Sequence, residues 1–193
     1  CGVLFSLCEL FGISIPKKEM AKMAQAAEHQ FAGVRCGIMD QFASLFGKKD
    51  FAIRLNCKTL EYEYIPINLE GVKIVLFNTN VTHSLSSSEY NTRRLQCEQG
   101  VRWIKEFYPG INALADVSVQ MLEDHVLPKD ELIYRRCKYV VEEIKRLHRA
   151  CTCLKGNNLY ALGELLFQTH DGLSKEYEVS CKELDFLVDY VKT

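Results

Sequence analysis

Residues 33–46 read Gly33-Val34-Arg35-Cys36-Gly37-Ile38-Met39-Asp40-Gln41-Phe42-Ala43-Ser44-Leu45-Phe46. Gly33 closes one amphipathic run and Gly37 opens another, in which Ile38, Met39, Phe42, Leu45 and Phe46 recur at helical spacing. Asp40 and Gln41 therefore fall in the first turn of a short helix. Backbone N–H groups lack intrahelical partners there, and the helix dipole favours a carboxylate. A charged, hydrogen-bonding pair inside so apolar a segment is either an anchor for the helix start or a working group, and the residues alone leave both readings open.

Upstream, Val3, Leu4, Leu7, Leu10 and Phe11 form an apolar stripe that Gly12 stops, and Ser14–Glu19 reads as a fresh helix start with Pro16 tolerated in its first turn. Met20, Met23, Ala27 and Phe31 give that helix a buried face. Glu28 lies beside the stripe and by itself reads as a solvated or salt-bridged helix residue.

Downstream, Phe51–Asn56 and Leu60–Ile65 read as the strands of a hairpin connected through residues 56–59. Pro66–Gly71 is the natural domain boundary, and the apolar run Val72–Phe77 predicts a strand buried on both faces. Ser84–Ser88 contains four serines but no glycine and no following lysine, so it reads as a cap and loop rather than a phosphate cradle. From Glu89 the pattern is helical to Phe107, with Arg93, Arg94, Arg102 and Lys105 on the wet side and the arginine pair matched to Glu89 and Glu98. Helices follow at about Ser118–His125, from near Pro128 to Leu154, from Leu159 past Thr169, and over Leu184–Val191. His125, His148 and His170 have no ligand or triad pattern around them.

With 193 residues, 48% hydrophobic and 25% charged, the chain has an ordinary globular composition. A formal net charge of −1 argues against a general nucleic-acid or anionic-membrane surface. No apolar run reaches the roughly 18 residues of a membrane span. Nine cysteines include no C-x-x-C pair, and they read as reduced thiols, mostly small buried hydrophobes, in a cytoplasmic protein. Cys1-Gly2-Val3-Leu4 reads as the inside of a helix, so the expectation is a central piece of a longer polypeptide.

Three segments share one source. Gly37-Ile38-Met39-Asp40-Gln41 resembles the GIMDQ signature of galactokinases in the GHMP family of small-molecule kinases. Ser88-Glu89-Tyr90-Asn91-Thr92-Arg93-Arg94 resembles that family's SEYNxRR segment, and Tyr177–Asp185 resembles its YEVSCPELD. The resemblance implies an α+β, two-lobed GHMP kinase fold, with a ribosomal S5 domain 2-like N-terminal lobe and a ferredoxin-like, helix-rich C-terminal lobe. Both are expected to be incomplete, with 1–68 belonging to the first and 69–193 to the second. It implies transfer of the ATP γ-phosphate to the C1 hydroxyl of α-D-galactose.

By resemblance, Asp40 is the catalytic carboxylate facing that hydroxyl, flanked by apolar walls. Gly37 and Tyr90 bind the sugar, and Glu28 helps hold the Mg²⁺ of bound ATP. The expected ligands are thus galactose, ATP and Mg²⁺, with no nucleic acid or membrane. The family's N-terminal sugar signature, its phosphate loop and its C-terminal glycine-rich motif are absent from residues 1–193, so ATP-binding residues are not assigned and the piece alone is expected to be inactive. Asn56 and Lys58 stand where the family usually has aspartate and arginine. Two alternatives accompany this reading: a GHMP kinase for another sugar, and a galactose- and ATP-binding transcriptional sensor of the same fold.

Overall fold

The structure, a computed structural model, describes residues 1–81 and 86–192, without the side chains of residues 86–90. The chain divides into two units, Cys1–Val72 and Lys73–Thr193.

The first unit holds α1 (Gly2–Phe11), α2 (Lys17–Ala27), a π-helical turn Glu28–Ala32, α3 (Met39–Phe46), and strands β1 (Phe51–Leu55) and β2 (Tyr62–Pro66). Gly12 ends α1 in the left-handed conformation at φ 64°, which a residue without Cβ adopts at little cost. The strands pair antiparallel with Phe51 opposite Pro66 and Leu55 opposite Tyr62. Asn56 makes the turn: its side-chain oxygen accepts from the N–H groups of Lys58 and Thr59 at 3.0 and 3.3 Å. Leu60, expected in the second strand, is instead drawn into this turn at φ 57°.

An aromatic cluster fastens α3 to the hairpin. The Phe42 and Phe46 rings stack at 4.1 Å, Tyr62 meets both, and the Tyr64 hydroxyl donates to the Phe46 carbonyl at 2.8 Å.

Two expected apolar faces are only partly covered. Cys8 is the buried residue of α1, whereas Leu10 is 74% exposed. On α2, Met20 is buried but Met23 is half-exposed. Phe31 is 89% exposed, because the π turn inserts a wider step that rotates it away from the α2 face.

The second unit is helical: α4 (Ser86–Lys105), a short 3₁₀ turn Leu114–Asp116, α5 (Val119–His125), α6 (Glu131–Lys155), α7 (Leu159–Lys175) and α8 (Lys182–Lys192). Its core is Ile104, Leu114, Val117, Leu122, Val126, Cys137 and Val141, gathered around α6. Three helices begin on side-chain caps: Ser118, Asp130 and Asn158 accept from the backbone N–H three residues on, at 3.2, 2.8 and 3.0 Å. The Asp130 cap places the start of α6 after Pro128, later than the apolar pattern suggests.

The strand expected at Val72–Phe77 does not form. No described strand lies beside it to supply ladder partners, and Ile74 and Leu76 are 75% and 91% exposed. Of the serine-rich segment, Ser84 lies outside the described residues, whereas Ser86–Ser88 are already helical, so α4 begins before Glu89. All nine cysteines are free thiols, and only Cys8, Cys137 and Cys151 are buried, fewer than composition suggested. No helix among the described residues is long and apolar enough to cross a membrane.

Candidate active site

Asp40 occupies the first turn of α3, two residues after the Ile38 N-cap, and no side chain caps that helix start. The carboxylate therefore sits where the unpaired N–H groups and the dipole favour negative charge. Asp40 is exposed and Met39 beside it is 66% exposed, while Gln41 and Phe42 turn inward at 4% and 1%. Within this unit the expected apolar walls around Asp40 are not present; the apolar side of α3 packs on the hairpin instead.

Gln41 links Asp40's helix to Glu28. Its Nε2 donates to Glu28 Oε1 at 2.5 Å, and the Cys36 thiol donates to Glu28 Oε2 at 3.2 Å. Each carboxylate oxygen is thus held from the loop or helix that carries the Gly37–Gln41 segment. Burial pushes the Cys36 thiol above its usual range, and the adjacent Glu28 carboxylate adds to this by favouring a protonated donor.

The loop is also gripped from the other side. Gln25 Nε2 donates to the Cys36 carbonyl at 3.1 Å, and a His29 ring nitrogen lies 2.8 Å from the same oxygen. Gly33, at φ 68°, ends the π turn and sends the chain into this loop. The Gln41 Oε1 atom is buried with no hydrogen-bond partner among the described residues.

Glu28, Gly37 and Asp40 therefore belong to one local arrangement, with Glu28 bonded to the residue that follows Asp40. Gln25, His29, Cys36 and Gln41 are its positioning residues. Of these, only Gln41 was marked by sequence, as part of the Asp40 pair; nothing in the spacing of the other three signals a shared carbonyl or carboxylate. The side chain of Tyr90 lies outside the described residues.

The other two segments singled out by sequence meet in the second unit. Arg93 is 7% exposed, not on the wet side of α4, because its guanidinium serves as a backbone clamp. Nε donates to the Tyr177 carbonyl at 2.5 Å and Nη2 to the Glu178 carbonyl at 3.1 Å. Arg94 pairs with Glu98 at 3.0 Å as its spacing implied, while the Glu89 side chain lies outside the described residues. Arg136, 1% exposed, donates to the Glu176 carbonyl and pairs with Glu178 Oε2 at 2.6 Å. Those contacts hold Glu178 at φ 53°, in the left-handed region. Asp185 closes the segment by accepting from Ser180 at 2.8 Å and facing His170 at 3.0 Å.

Comparison with known proteins gives this arrangement its context. Residues 1–48 match the family described as GHMP kinases N terminal domain. The Galactokinase of Thermotoga neapolitana is 46% identical over 188 residues, covering 97% of this chain and 51% of that protein. The Galactokinase of Thermosipho africanus is 41% identical over the same shares of the two chains. The crystal structure of Lactococcus lactis galactokinase complexed with galactose superimposes with a TM-score of 0.88 at 34% identity, covering 96% of this chain and 48% of that one. The chain thus spans about half the length of the relatives it matches. In sequence and in fold it is similar to these galactokinases over nearly its whole length, and its residues 1–48 match the N-terminal domain of GHMP kinases.

Proposed function

We propose that residues 1–193 form the central part of a galactokinase, which transfers the γ-phosphate of ATP to the C1 hydroxyl of α-D-galactose. Residues 1–68 would contribute to its N-terminal domain and 69–193 to its C-terminal domain. The observation that carries the reading is the Gln41 bridge: it ties Glu28 to α3 while leaving Asp40 exposed at the positive end of the helix.

Phosphoryl transfer asks the protein chiefly to align the acceptor and to balance charge on the phosphates. Asp40 accepts the hydrogen bond of the C1 hydroxyl and orients or takes its proton. The Gly37 N–H donates to a sugar hydroxyl, and Tyr90 supplies a second sugar contact.

Glu28 suits a Mg²⁺ ion carried in with ATP. Each of its oxygens accepts one hydrogen bond and retains a second lone pair, and the residue is exposed. Magnesium commonly takes one or two carboxylates and completes its shell with phosphate oxygens and water. When bound, the ion supplies neutralisation of phosphate charge.

Two observations support this reading over another sugar or a sensor role: every named relative quoted above is a galactokinase, and Asp40 is present. The test is ADP formation by the full reading frame carrying residues 1–193, compared across galactose, glucose and other hexoses. Turnover confined to galactose, with the product phosphorylated at C1, is expected. Preference for a different sugar would replace the substrate, and binding of galactose and ATP without turnover would favour the sensor.

A further inference from the structure

A cavity of about 470 Å³ lies in the second unit between α4 and the segment around the 3₁₀ turn. Val101, Ala113 and Leu114 give it apolar lining, and Arg94, Arg102 and Lys105 bring three cations against the single carboxylate of Glu98. Cys97 also lines it.

Behind Cys97 stands a second thiol. Cys137, on α6, is fully buried, and its Sγ lies 4.0 Å from the Cys97 carbonyl oxygen. It fills the space a side chain at position 100 would need: a Cβ built on Gly100 would approach Cys137 Sγ to 2.4 Å. Positions 97 and 100 share one face of α4, so Cys137 Sγ lies against that face at Cys97, and Tyr177 Oη sits 3.8 Å from Cys97 Sγ.

We propose that Cys97 is a modification site for hydroperoxides entering this cationic cavity, with Cys137 as the thiol that resolves it to a disulfide. The proposal is independent of kinase chemistry and uses residues with no part in the Asp40 arrangement. The adjoining Cys137 side chain holds the Cys97 thiol below its usual range, helped by Tyr177 and the charges of Arg94 and Arg136. Cys137 is pushed upward by the Cys97 side chain beside it and by burial.

The steps balance without a further reagent. The Cys97 thiolate attacks the distal oxygen of ROOH; the S–O bond forms, the O–O bond breaks, and the alkoxide leaves as ROH on taking a proton. Sulfur is oxidised by two electrons and the peroxide is reduced. Cys137 sulfur then attacks the sulfenic sulfur, the S–S bond forms, and hydroxide leaves with the Cys137 proton as water. Two thiols and one hydroperoxide give one disulfide, one alcohol and one water.

The test uses the unmodified chain, so it does not depend on a variant that folds. After limiting tert-butyl hydroperoxide and blocking with N-ethylmaleimide, non-reducing peptide mapping is expected to recover the Cys97–Cys137 peptide pair as the dominant linkage. Limiting iodoacetamide on the reduced chain should label Cys97 faster than Cys57. In C137S, dimedone should trap Cys97 as the sulfenic acid with no disulfide formed. Cys97 left as a free thiol while Cys57 or another cysteine is oxidised, or a disulfide joining a different pair, would overturn the proposal.

Discussion

Gln41 Nε2 lies 2.5 Å from Glu28 Oε1, so the residue after Asp40 fixes a carboxylate thirteen positions earlier in the chain. One helix start thereby presents Asp40 outward and steadies Glu28 beside it. The two acidic groups of the proposed mechanism share one support. Disturbing that support should affect both.

Replacing Gln41 with leucine keeps the volume but removes the donor to Glu28. Net loss of a hydrogen bond to a charged group is expected to cost about 1.5–3 kcal/mol. Urea denaturation of the chain and its Q41L variant measures this. In the full reading frame the same substitution should also lower kcat/KM, and unchanged stability and rate would remove Gln41 from the positioning set.

Glu28→Gln should act on the metal requirement. The half-saturating Mg²⁺ concentration for ADP formation is expected to rise several-fold while galactose KM holds. A galactose KM that rises with the Mg²⁺ dependence unchanged would assign Glu28 to the sugar instead.

Gly172→Ala tests the packing of α6 against α7. An added Cβ would meet the Tyr139 ring at 2.3 and 2.5 Å, and Tyr139 is buried. Alanine gains about 1 kcal/mol in helix propensity, but overpacking against a ring that cannot swing aside costs about 1–3 kcal/mol. Net destabilisation in chemical denaturation is expected, whereas a stabilised variant would show that the interface has room.

Acid should loosen the Tyr177–Asp185 segment. The Ser180 hydrogen bond, with Ser174 and His170 adding to it, holds the Asp185 carboxyl below the ordinary aspartate value of 3.8. A depressed folded-state pKa contributes stability that is present above 3.8 and is lost as pH falls through the folded value. Urea midpoints measured from pH 6 to pH 3 should fall less steeply for Asp185→Asn than for the parent. Parallel curves would mean that Asp185 does not couple to folding.

Much of this organisation was legible in sequence because it rests on local rules. The short helix with Asp40 in its first turn, the Gly12 stop and a hairpin after Phe51 follow from apolar period, glycine conformation and turn chemistry, although α3 starts at Met39 rather than at Gly37 and β2 runs from Tyr62 to Pro66. Long-range polar contacts were not legible. Arg93 reads as a surface partner of nearby glutamates, yet it is drawn inward by the carbonyls of Tyr177 and Glu178, more than eighty residues away. His29 likewise gives no sign that it faces the Cys36 carbonyl. Val72–Phe77 has a strand's composition, but composition cannot provide the neighbours that a ladder requires, and the run stays unpaired with Leu76 91% exposed. The three signature segments pointed to galactokinases more sharply than the periodicity did, since mixed helix and strand is common to many folds.

The account's central claim is that Asp40 handles the acceptor proton. The most direct measurement is galactose-dependent ADP formation by the full reading frame beside its Asp40→Asn variant, with galactose affinity measured by calorimetry for both. The account predicts that kcat falls by about 10²–10⁴-fold while galactose still binds. Equal rates in parent and variant would contradict it and leave Asp40 as an anchor for the start of α3.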